Sequence, residues 1–269
     1  MTAGADDISP DHEALRSGEL ILLGRIRSAS NATFLCEARG SEHNVHCVYK
    51  PVAGEQPLWD FPDGTLAGRE LSAYLIAAAL GWNIVPHTII RDGPAGSGMV
   101  QLWIDEVEGN GGTDLVDLCR TDSVPSGYLP VLRARDDRGD EVALVHADDI
   151  RLRRIAVFDV IINNADRKGG HILTAVDGSV YGVDHGVSLH VEEKLRTVLW
   201  GWAGTPIGDS VMGAVAQLDR VLAGPLSMEL SKHITVREVA ALNRRVRDLL
   251  RNPVMPMPNG RSPIPWPAF

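Results

Sequence analysis

The sequence predicts an α+β fold in which an antiparallel sheet with one helix precedes a mainly helical region. Apolar runs at 19–25, 32–37 and 45–49 have the length of strands, and a turn-forming cluster separates the first two. Residues 67–80 then carry apolar side chains at helical spacing. Beyond residue 150 the apolar patterns are mainly helical, interrupted by one short hairpin.

The composition limits the classes of partner. The chain has 269 residues, 44% of them hydrophobic, enough for a substantial core in one large domain or two lobes. A formal net charge of −9 argues against a nucleic-acid partner and weakly against docking on an anionic membrane. Apolar runs of about 20 residues are lacking, as are the features of a signal peptide. Three cysteines without CxxC spacing indicate neither disulfides nor zinc. We expect a soluble, cytoplasmic protein without a transmembrane segment.

The most informative stretch is residues 163–186. Two short apolar runs flank Asp177 and Gly178, the strongest local signal for a hairpin with a two-residue type I′ turn. With these two residues as the turn, His171 and Asp184 are equidistant from it and lie directly opposite each other. Such pairs have Cβ atoms about 4.5–5.5 Å apart on one face of the sheet. The sequence therefore predicts a pair of ligand-type side chains at the open end of the hairpin.

A carboxylate precedes this hairpin on a loop, as in a metal-assisted phosphoryl-transfer site. Asp166 and Arg167, then His171, then the triplet 184–186 (Asp-His-Gly) resemble the catalytic and metal-binding loops of the phosphatidylinositol 3/4-kinase-like group. That group reads Asp-Arg-His-x-x-Asn and then Asp-Phe-Gly or Asp-His-Gly. The stretch is also similar to HipA-type kinases, whose Asn-x-Asp-x-His-x-Lys-Asn loop matches Asn164 and Asp166. Where both families carry Asn, this chain has His171.

On these motifs the chain is identified as a member of an actinobacterial PI3/4-kinase-like family. The resemblance implies a two-lobed protein-kinase-like (PI3/4-kinase/HipA-like) fold. Residues 1–106 would be the N-terminal nucleotide-binding lobe, an antiparallel sheet plus one helix. Residues 107–269 would be the mainly helical C-terminal lobe with the catalytic β-hairpin. Within it, 107–150 would be a linker or insert that begins with a short helix near residue 113, and 253–269 a proline-rich tail.

The resemblance also assigns the binding of ATP to the first lobe. Lys50 would neutralise phosphate charge while Glu70 holds it. Each residue has a simpler explanation, since a lysine at a strand end is usually solvated and a glutamate suits the first turn of a helix. The turn between the first two strands would cover the phosphates, and a hinge after the fifth would hold the adenine through backbone groups. These residues are Ser28, Ala29, Ser30 and Asn31 in the turn and Gln101, Leu102, Trp103 and Ile104 in the hinge.

In the second lobe the resemblance assigns catalysis to Asp166 and Arg167 and metal binding to His171 and Asp184. Asp166 would be the base or orienting carboxylate for the attacking hydroxyl, and Arg167 either structures the loop or contacts phosphate. The metal would be Mg²⁺ or Mn²⁺. Three interpretations of His171 are open, because Mg²⁺ prefers oxygen ligands and imidazole suits Mn²⁺ better. In the first, His171 is a ligand in a site tuned to Mn²⁺. In the second, it lies behind the ligands of a Mg²⁺ site. In the third, it indicates a pseudokinase that binds nucleotide poorly.

Three helices are predicted in this lobe, at 150–162, 210–222 and 235–251. The first is apolar over most of its circumference, so its Asp159 must find partners, for which the backbone of the following loop is suited. The last carries an arginine face: Arg244, Arg247 and Arg251. This face either is solvated or receives an anionic substrate.

The sequence thus predicts an ATP-dependent, metal-dependent phosphotransferase (kinase) acting on a hydroxyl of a protein or small soluble alcohol. The alternative is a catalytically weak, pseudokinase-type nucleotide-binding module that acts through a partner protein. A phosphoinositide kinase is less favoured, because the chain is acidic and lacks a membrane element. Transfer of AMP would need the same residues with the nucleotide reversed.

Overall fold

The protein has an α+β fold, and its described residues form antiparallel sheets and six helices. Its structure, a computed structural model, describes residues 9–26, 31–107, 114–135, 138–260 and 262–269. None of the helices in these ranges has the length and apolar content to cross a bilayer. In chain order the elements are α1 (Pro10–Ser17), β1 (Glu19–Arg25), β2 (Phe34–Arg39), β3 (Asn44–Pro51), α2 (Leu66–Ala79), β4 (Thr88–Gly93), β5 (Gly96–Leu102), β6 (Val116–Arg120), β7 (Tyr128–Arg135), β8 (Glu141–Ala147), α3 (Ile150–Ile162), β9 (Ile172–Thr174), β10 (Val180–Gly182), α4 (Asp209–Leu222), α5 (Pro225–Leu230) and α6 (Val236–Arg251).

The first sheet has the strand order β1-β2-β3-β5-β4, with every neighbouring pair antiparallel. Helix α1 contributes Leu15 to a small core that includes Cys36 and Tyr49 of the sheet. Helix α2 contributes Ile76 to the main core. The three strands and the helix predicted here are confirmed. The apolar residues at 82–91 also predict a strand from residue 82, and this start is wrong, because β4 begins only at Thr88.

Residues 116–147 form a separate three-stranded sheet with the order β6-β8-β7. The short helix predicted near residue 113 is wrong where the structure describes the chain, since 116–120 are a strand. The four consecutive buried residues of β8, at 143–146, indicate a strand that is buried on both faces. A helix would require apolar residues three to four positions apart.

Helix α3 passes through the main core and positions the loop that follows it. Its Leu152, Ile155 and Phe158 have no exposed surface. The Asp149 carboxylate caps its N-terminus by accepting a hydrogen bond from the Arg151 N–H at 2.7 Å, the role that Asp favours just before a helix. The helix ends at Asn163, whose backbone is left-handed with φ of 53°. This change of direction starts the loop that carries Asp166.

The C-terminal tail returns to this loop after α6. Its Pro263 carbonyl accepts hydrogen bonds from the Thr197 N–H at 3.1 Å and from the Trp200 indole at 2.8 Å. The Ala268 carbonyl accepts from the Gly169 N–H at 2.8 Å, and the Phe269 ring lies against Gly169 where a Cβ atom would clash. The tail therefore supports the loop between α3 and β9 from one side.

The hairpin β9–β10 is present, but its predicted register is wrong by one residue. Thr174 pairs with Val180, and the loop has three residues, ending in Gly178 with φ of 81°. The Gly178 N–H donates to the Ala175 carbonyl at 2.9 Å, which closes a turn followed by a left-handed residue. His171 is consequently opposite Val183, whose N–H donates to the His171 carbonyl at 3.0 Å. Strand register therefore does not place His171 opposite Asp184.

Two glycine substitutions test this backbone with opposite expected signs. Gly178→Ala puts a side chain on a left-handed residue and should lower the free energy of unfolding by about 1 kcal/mol. Gly213→Ala lies in the interior of α4 with open space around the new Cβ, and should raise it by about 0.5–1 kcal/mol. Urea unfolding measures both. Equal effects of the two changes would contradict the loop described here.

Candidate active site

Lys50 lies at the centre of the candidate site, between two carboxylates. Its Nζ donates to Glu70 Oε1 at 2.8 Å and to Asp184 Oδ1. Burial opposes the charged form of Lys50, yet the pKa of its ammonium is raised because Glu70 and Asp184 lie against it. Burial also opposes ionisation of Asp184, but Lys50 outweighs it and holds the pKa of Asp184 well below its usual range. Lys50 and Asp184 are therefore charged at neutral pH.

Glu70 links α2 to the Asp-His-Gly triplet. Its Oε2 accepts a hydrogen bond from the His185 N–H at 2.9 Å, while Oε1 holds Lys50. Glu70 is only 2% exposed and lies beyond the first turn of α2, where no acidic residue occurs. The helix-dipole explanation offered by the sequence therefore does not apply. The carboxylate instead ties strand β3 to the triplet.

His171 and Asp184 do meet, although through a different backbone path from the one predicted. Asp184 has φ of 60°, an uncommon left-handed conformation that Asp tolerates better than most residues. Its Oδ2 is 3.5 Å from His171 Nε2. Burial lowers the pKa of His171 to about 4, so the imidazole is neutral at neutral pH. The His171 Nδ1 is buried and has no hydrogen-bond partner among the described residues.

Arg167 is fully buried and bonds to groups of the loop and the hairpin, which favours the role of structuring the loop over a phosphate contact. Its Nε donates to both oxygens of the buried Asp159 at 3.1 Å. Its Nη1 donates to the carbonyls of Val183 at 2.9 Å and His171 at 3.2 Å, and its Nη2 lies 2.7 Å from His185 Nε2. The guanidinium therefore connects α3 with both chain segments at the open end of the hairpin.

Asp159 finds its partners among side chains, whereas the sequence analysis expected loop backbone. Besides Arg167, its oxygens accept from the Asn164 amide at 2.9 Å and, more weakly, from the Thr197 hydroxyl at 3.4 Å. The other end of the Asn164 amide accepts from the Asp166 N–H at 3.0 Å. One buried carboxylate in α3 thus fixes the loop on which Asp166 sits.

Asp166 is half-buried and faces the same cavity as Lys50. Burial raises the pKa of Asp166, while the neighbouring Lys168 ammonium, 3.4 Å from its Oδ2, acts in the opposite direction. Sequence analysis assigned no role to Lys168, although its position two residues after Asp166 places both on one side of the loop. A carboxylate with these neighbours can orient and accept a proton from a hydroxyl group.

The cavity has a volume of about 340 Å³, within the range of small-molecule sites. Lys50, Glu70, Asp166, His171 and Asp184 all line it, as does the predicted turn residue Asn31. Ser28, Ala29 and Ser30, the rest of that turn, lie outside the described residues. Sequence analysis missed Glu55, whose carboxylate caps α2 by accepting from the Leu66 and Ala67 N–H groups at 2.9 Å.

The predicted hinge is not brought into this cavity. Gln101 is buried in β5 and donates from its side chain to Thr88 Oγ1 at 2.8 Å. The N–H groups of Leu102 and Trp103 donate to the carbonyls of His87 at 2.9 Å and His46 at 3.0 Å. These N–H groups are therefore already bonded within the protein, and the cavity lining includes none of residues 101–104.

His171 and Asp184 are the side chains suited to hold a divalent cation. Within the described ranges, no cluster of three or more His, Cys, Asp or Glu could hold a metal ion. Mg²⁺ commonly takes one or two carboxylates, with the other positions filled by water and substrate phosphates. A neutral imidazole beside an ionised carboxylate also provides the donor set that suits Mn²⁺. The residues thus fit an ion shared with a bound phosphate and do not fit a closed structural site.

Comparison with known proteins identifies a close relative. The chain is 66% identical over 265 residues to Protein Rv2133c of Mycobacterium tuberculosis (strain ATCC 25618 / H37Rv), which covers 96% of this chain and 95% of the relative. The chain belongs to the family of Protein Rv2133c. No family model matches the sequence. The relative comes from an actinobacterium, as the sequence analysis expected of the family.

One solved structure with low sequence identity shares the fold of this family, and a second shows a weaker likeness. The Golgi casein kinase matches with a TM-score of 0.53 and 13% identity, over 92% of this chain and 75% of that chain. The Helicobacter pylori proinflammatory kinase CtkA matches with a TM-score of 0.43 and 9% identity, over 89% and 93%. The first likeness shows a kinase-like fold. Neither structure is a phosphatidylinositol kinase by name, so that part of the resemblance stays a prediction.

Asp159→Asn tests the buried ion pair that fixes the loop. The change leaves the Arg167 guanidinium buried without an anionic partner and should lower the free energy of unfolding by about 3–5 kcal/mol. Arg120→Gln, which breaks an exposed pair with Asp122, should change the free energy of unfolding little, because solvent screens that pair. Denaturant unfolding measures both variants. Similar small losses would show that the Asp159–Arg167 pair does not hold the loop.

Proposed function

We propose that this protein is a metal-dependent phosphotransferase that transfers the γ-phosphoryl group of ATP to a hydroxyl of a protein or small soluble alcohol. One observation carries the proposal: Lys50, held by Glu70 and Asp184, faces Asp166 across a single cavity. Phosphoryl transfer needs positioned charge more than strong basicity, because its transition state is loose. An ammonium, two ionised carboxylates and a carboxylate on a fixed loop supply those charges.

Each residue then has a role that follows from its surroundings. Lys50 neutralises charge on the ATP phosphates, and Glu70 keeps its ammonium in place. Asp166 orients the acceptor hydroxyl and receives its proton. Asp184 and His171 hold the divalent cation, which supplies further positive charge at the phosphates when bound. Arg167 acts only through the loop, because it is fully buried.

The proposal extends to the organisation of the chain. Residues 1–106 would form the nucleotide-binding lobe and 107–269 the catalytic lobe, with the cavity bounded by β3 and α2 on one side and by the α3–β9 loop on the other. The adenine would bind beyond Lys50. Of the predicted hinge residues, Ile104 would remain available to contact it.

Thermal unfolding with ATP and ADP, with Mg²⁺, with Mn²⁺ and without metal, tests the nucleotide site. A ligand present at 100 times its dissociation constant stabilises the folded state by about 2.7 kcal/mol, so binding raises the midpoint of thermal unfolding. We expect a metal-dependent increase with the wild-type protein. Asp184→Ala should abolish it, because the change removes the ionised ligand of the cation.

Asp122→Ala is the matched control, since it removes an exposed carboxylate just after β6 that pairs with Arg120, far from the lining of the cavity. It should leave the nucleotide-dependent increase unchanged. The absence of any increase with either metal in the wild-type protein would refute the proposal. An increase that survives Asp184→Ala would refute the assigned role of that carboxylate.

A pseudokinase-type nucleotide-binding module is the second candidate, favoured by the imidazole at position 171. His171→Asn distinguishes the roles of this residue, because an amide oxygen suits Mg²⁺ and an imidazole suits Mn²⁺. If His171 is a ligand in an active site, the substitution should move the metal preference of nucleotide binding from Mn²⁺ toward Mg²⁺. Titrations of each metal at fixed ADP measure this preference. An unchanged preference would place His171 outside the ligand set.

A further inference from the structure

A second and larger cavity lies beside the catalytic loop. It has a volume of about 760 Å³, and its walls include residues 193–196, the end of α6 and residues 254–257, 259, 260 and 262 of the tail. We call this cavity the tail groove. It shares no lining residue with the cavity around Lys50. Its volume lies within the range of sites that bind small molecules.

The tail groove is richer in cationic than in anionic side chains, although the chain as a whole carries a net charge of −9. Apolar residues complete the wall. The cationic side chains are Lys194, Arg196, Arg245 and Arg251, the acidic ones are Glu193 and Asp248, and the large apolar ones include Leu195, Trp200, Met255 and Met257. Such a lining suits a ligand with an anionic group and a carbon skeleton.

Arg245 is the most confined cation of the groove. Its Nε donates to the Ile161 carbonyl at 2.8 Å and its Nη1 to the His190 carbonyl at 3.2 Å. Its Nη2 is buried without a hydrogen-bond partner, and no carboxylate of the described chain pairs with it. Burial lowers the pKa of Arg245 to about 10, yet the group is charged at neutral pH. A buried donor of a charged group left unbonded is costly, and an anion in the groove would satisfy it.

Arg196 connects the groove with the catalytic loop. Its N–H donates to the Asn164 carbonyl at 2.9 Å, and its carbonyl accepts from the Arg167 N–H at 3.0 Å. Its guanidinium is exposed and makes no hydrogen bond or ion pair with the residues that the structure describes. Burial raises the pKa of Asp166, and Arg196 is close enough to act against that effect. The groove therefore borders the proposed catalytic carboxylate.

We propose that the tail groove binds the acceptor substrate, and that this acceptor is a small anionic alcohol. Its phosphate or carboxylate group pairs with Arg245 and Arg196, since guanidinium groups bind both anions in a planar, two-point fashion. Its hydroxyl reaches Asp166. This assignment rests on the proposed function and names the substrate class for it.

The transfer balances with the groups already named. The acceptor oxygen forms a bond to the γ-phosphorus of ATP, and the bond from that phosphorus to the β–γ bridging oxygen breaks. The hydroxyl proton passes to Asp166, and ADP leaves with the bridging oxygen. The apolar wall of the groove accommodates the carbon skeleton and excludes water from the transfer.

Binding of inorganic phosphate to the full-length protein, measured by isothermal titration calorimetry, tests the groove. Arg196→Gln and Arg245→Met should each weaken binding about tenfold or more, the effect of losing a hydrogen bond to a charged group. Arg244→Gln is the matched control, because Arg244 is exposed on the same helix and does not line the groove. In Lys50→Ala the phosphate binding that depends on the two arginines should persist, because that change alters only the other cavity.

Citrate and an oligoglutamate peptide separate the ligand classes. Arginine-dependent binding of phosphate or citrate supports a small anion and identifies which group is recognised, whereas arginine-dependent binding of the peptide alone overturns the small-molecule assignment. Arg196 is exposed and unpaired, so its substitution keeps the test valid if Arg245→Met fails to fold. The groove proposal is overturned if Arg196→Gln binds phosphate with the affinity of the wild type. It is also overturned if only Lys50→Ala loses phosphate binding.

The two proposals can fail separately. The groove proposal alone is contradicted if Asp184→Ala abolishes nucleotide binding and phosphate binding is the same with and without the two arginines. Arginine-dependent phosphate binding in a protein without any nucleotide-dependent stabilisation contradicts the proposed function and the acceptor role. In that case the groove remains as an anion site of another kind.

Discussion

The buried pair of Asp159 and Arg167 is the interaction on which the site depends. A carboxylate and a guanidinium without solvent exposure are stable together only if their remaining hydrogen-bonding atoms are also satisfied. Here those atoms reach Asn164, the carbonyls of His171 and Val183, and the ring of His185. Satisfying one buried pair thereby fixes the end of α3, the catalytic loop and both strands of the hairpin at once.

A second ionic contact joins the elements on the two sides of the cavity. Glu70 bonds to Lys50 through one oxygen and to the backbone of His185 through the other. Helix α2 therefore sets the distance between β3 and the Asp-His-Gly triplet. The two networks meet at His185, which contacts both Glu70 and Arg167. Groups that are far apart in sequence become one rigid arrangement through that histidine.

Local patterns in the sequence predicted the elements better than their connections. The first three strands, α2 and α3 follow from periodicity, and the motif resemblance led to the pairing of Lys50 with Glu70. The hairpin register could not be read from Asp177 and Gly178, since the same dipeptide suits a two-residue and a three-residue loop. The partners of Asp159 and the position of Arg245 in the tail groove depend on tertiary contacts. No spacing in the sequence encodes them.

The contact between Lys50 and Asp184 has a consequence for how ligands bind. The carboxylate that would hold a divalent cation is already neutralised by an internal ammonium. A metal ion arriving alone must displace that ammonium without offering it another anion, whereas a nucleotide offers its phosphates. Each ligand thus removes an obstacle to the other, and thermodynamic linkage requires the benefit to be mutual. Under the proposed function, the site would therefore recognise the metal–nucleotide complex as a unit.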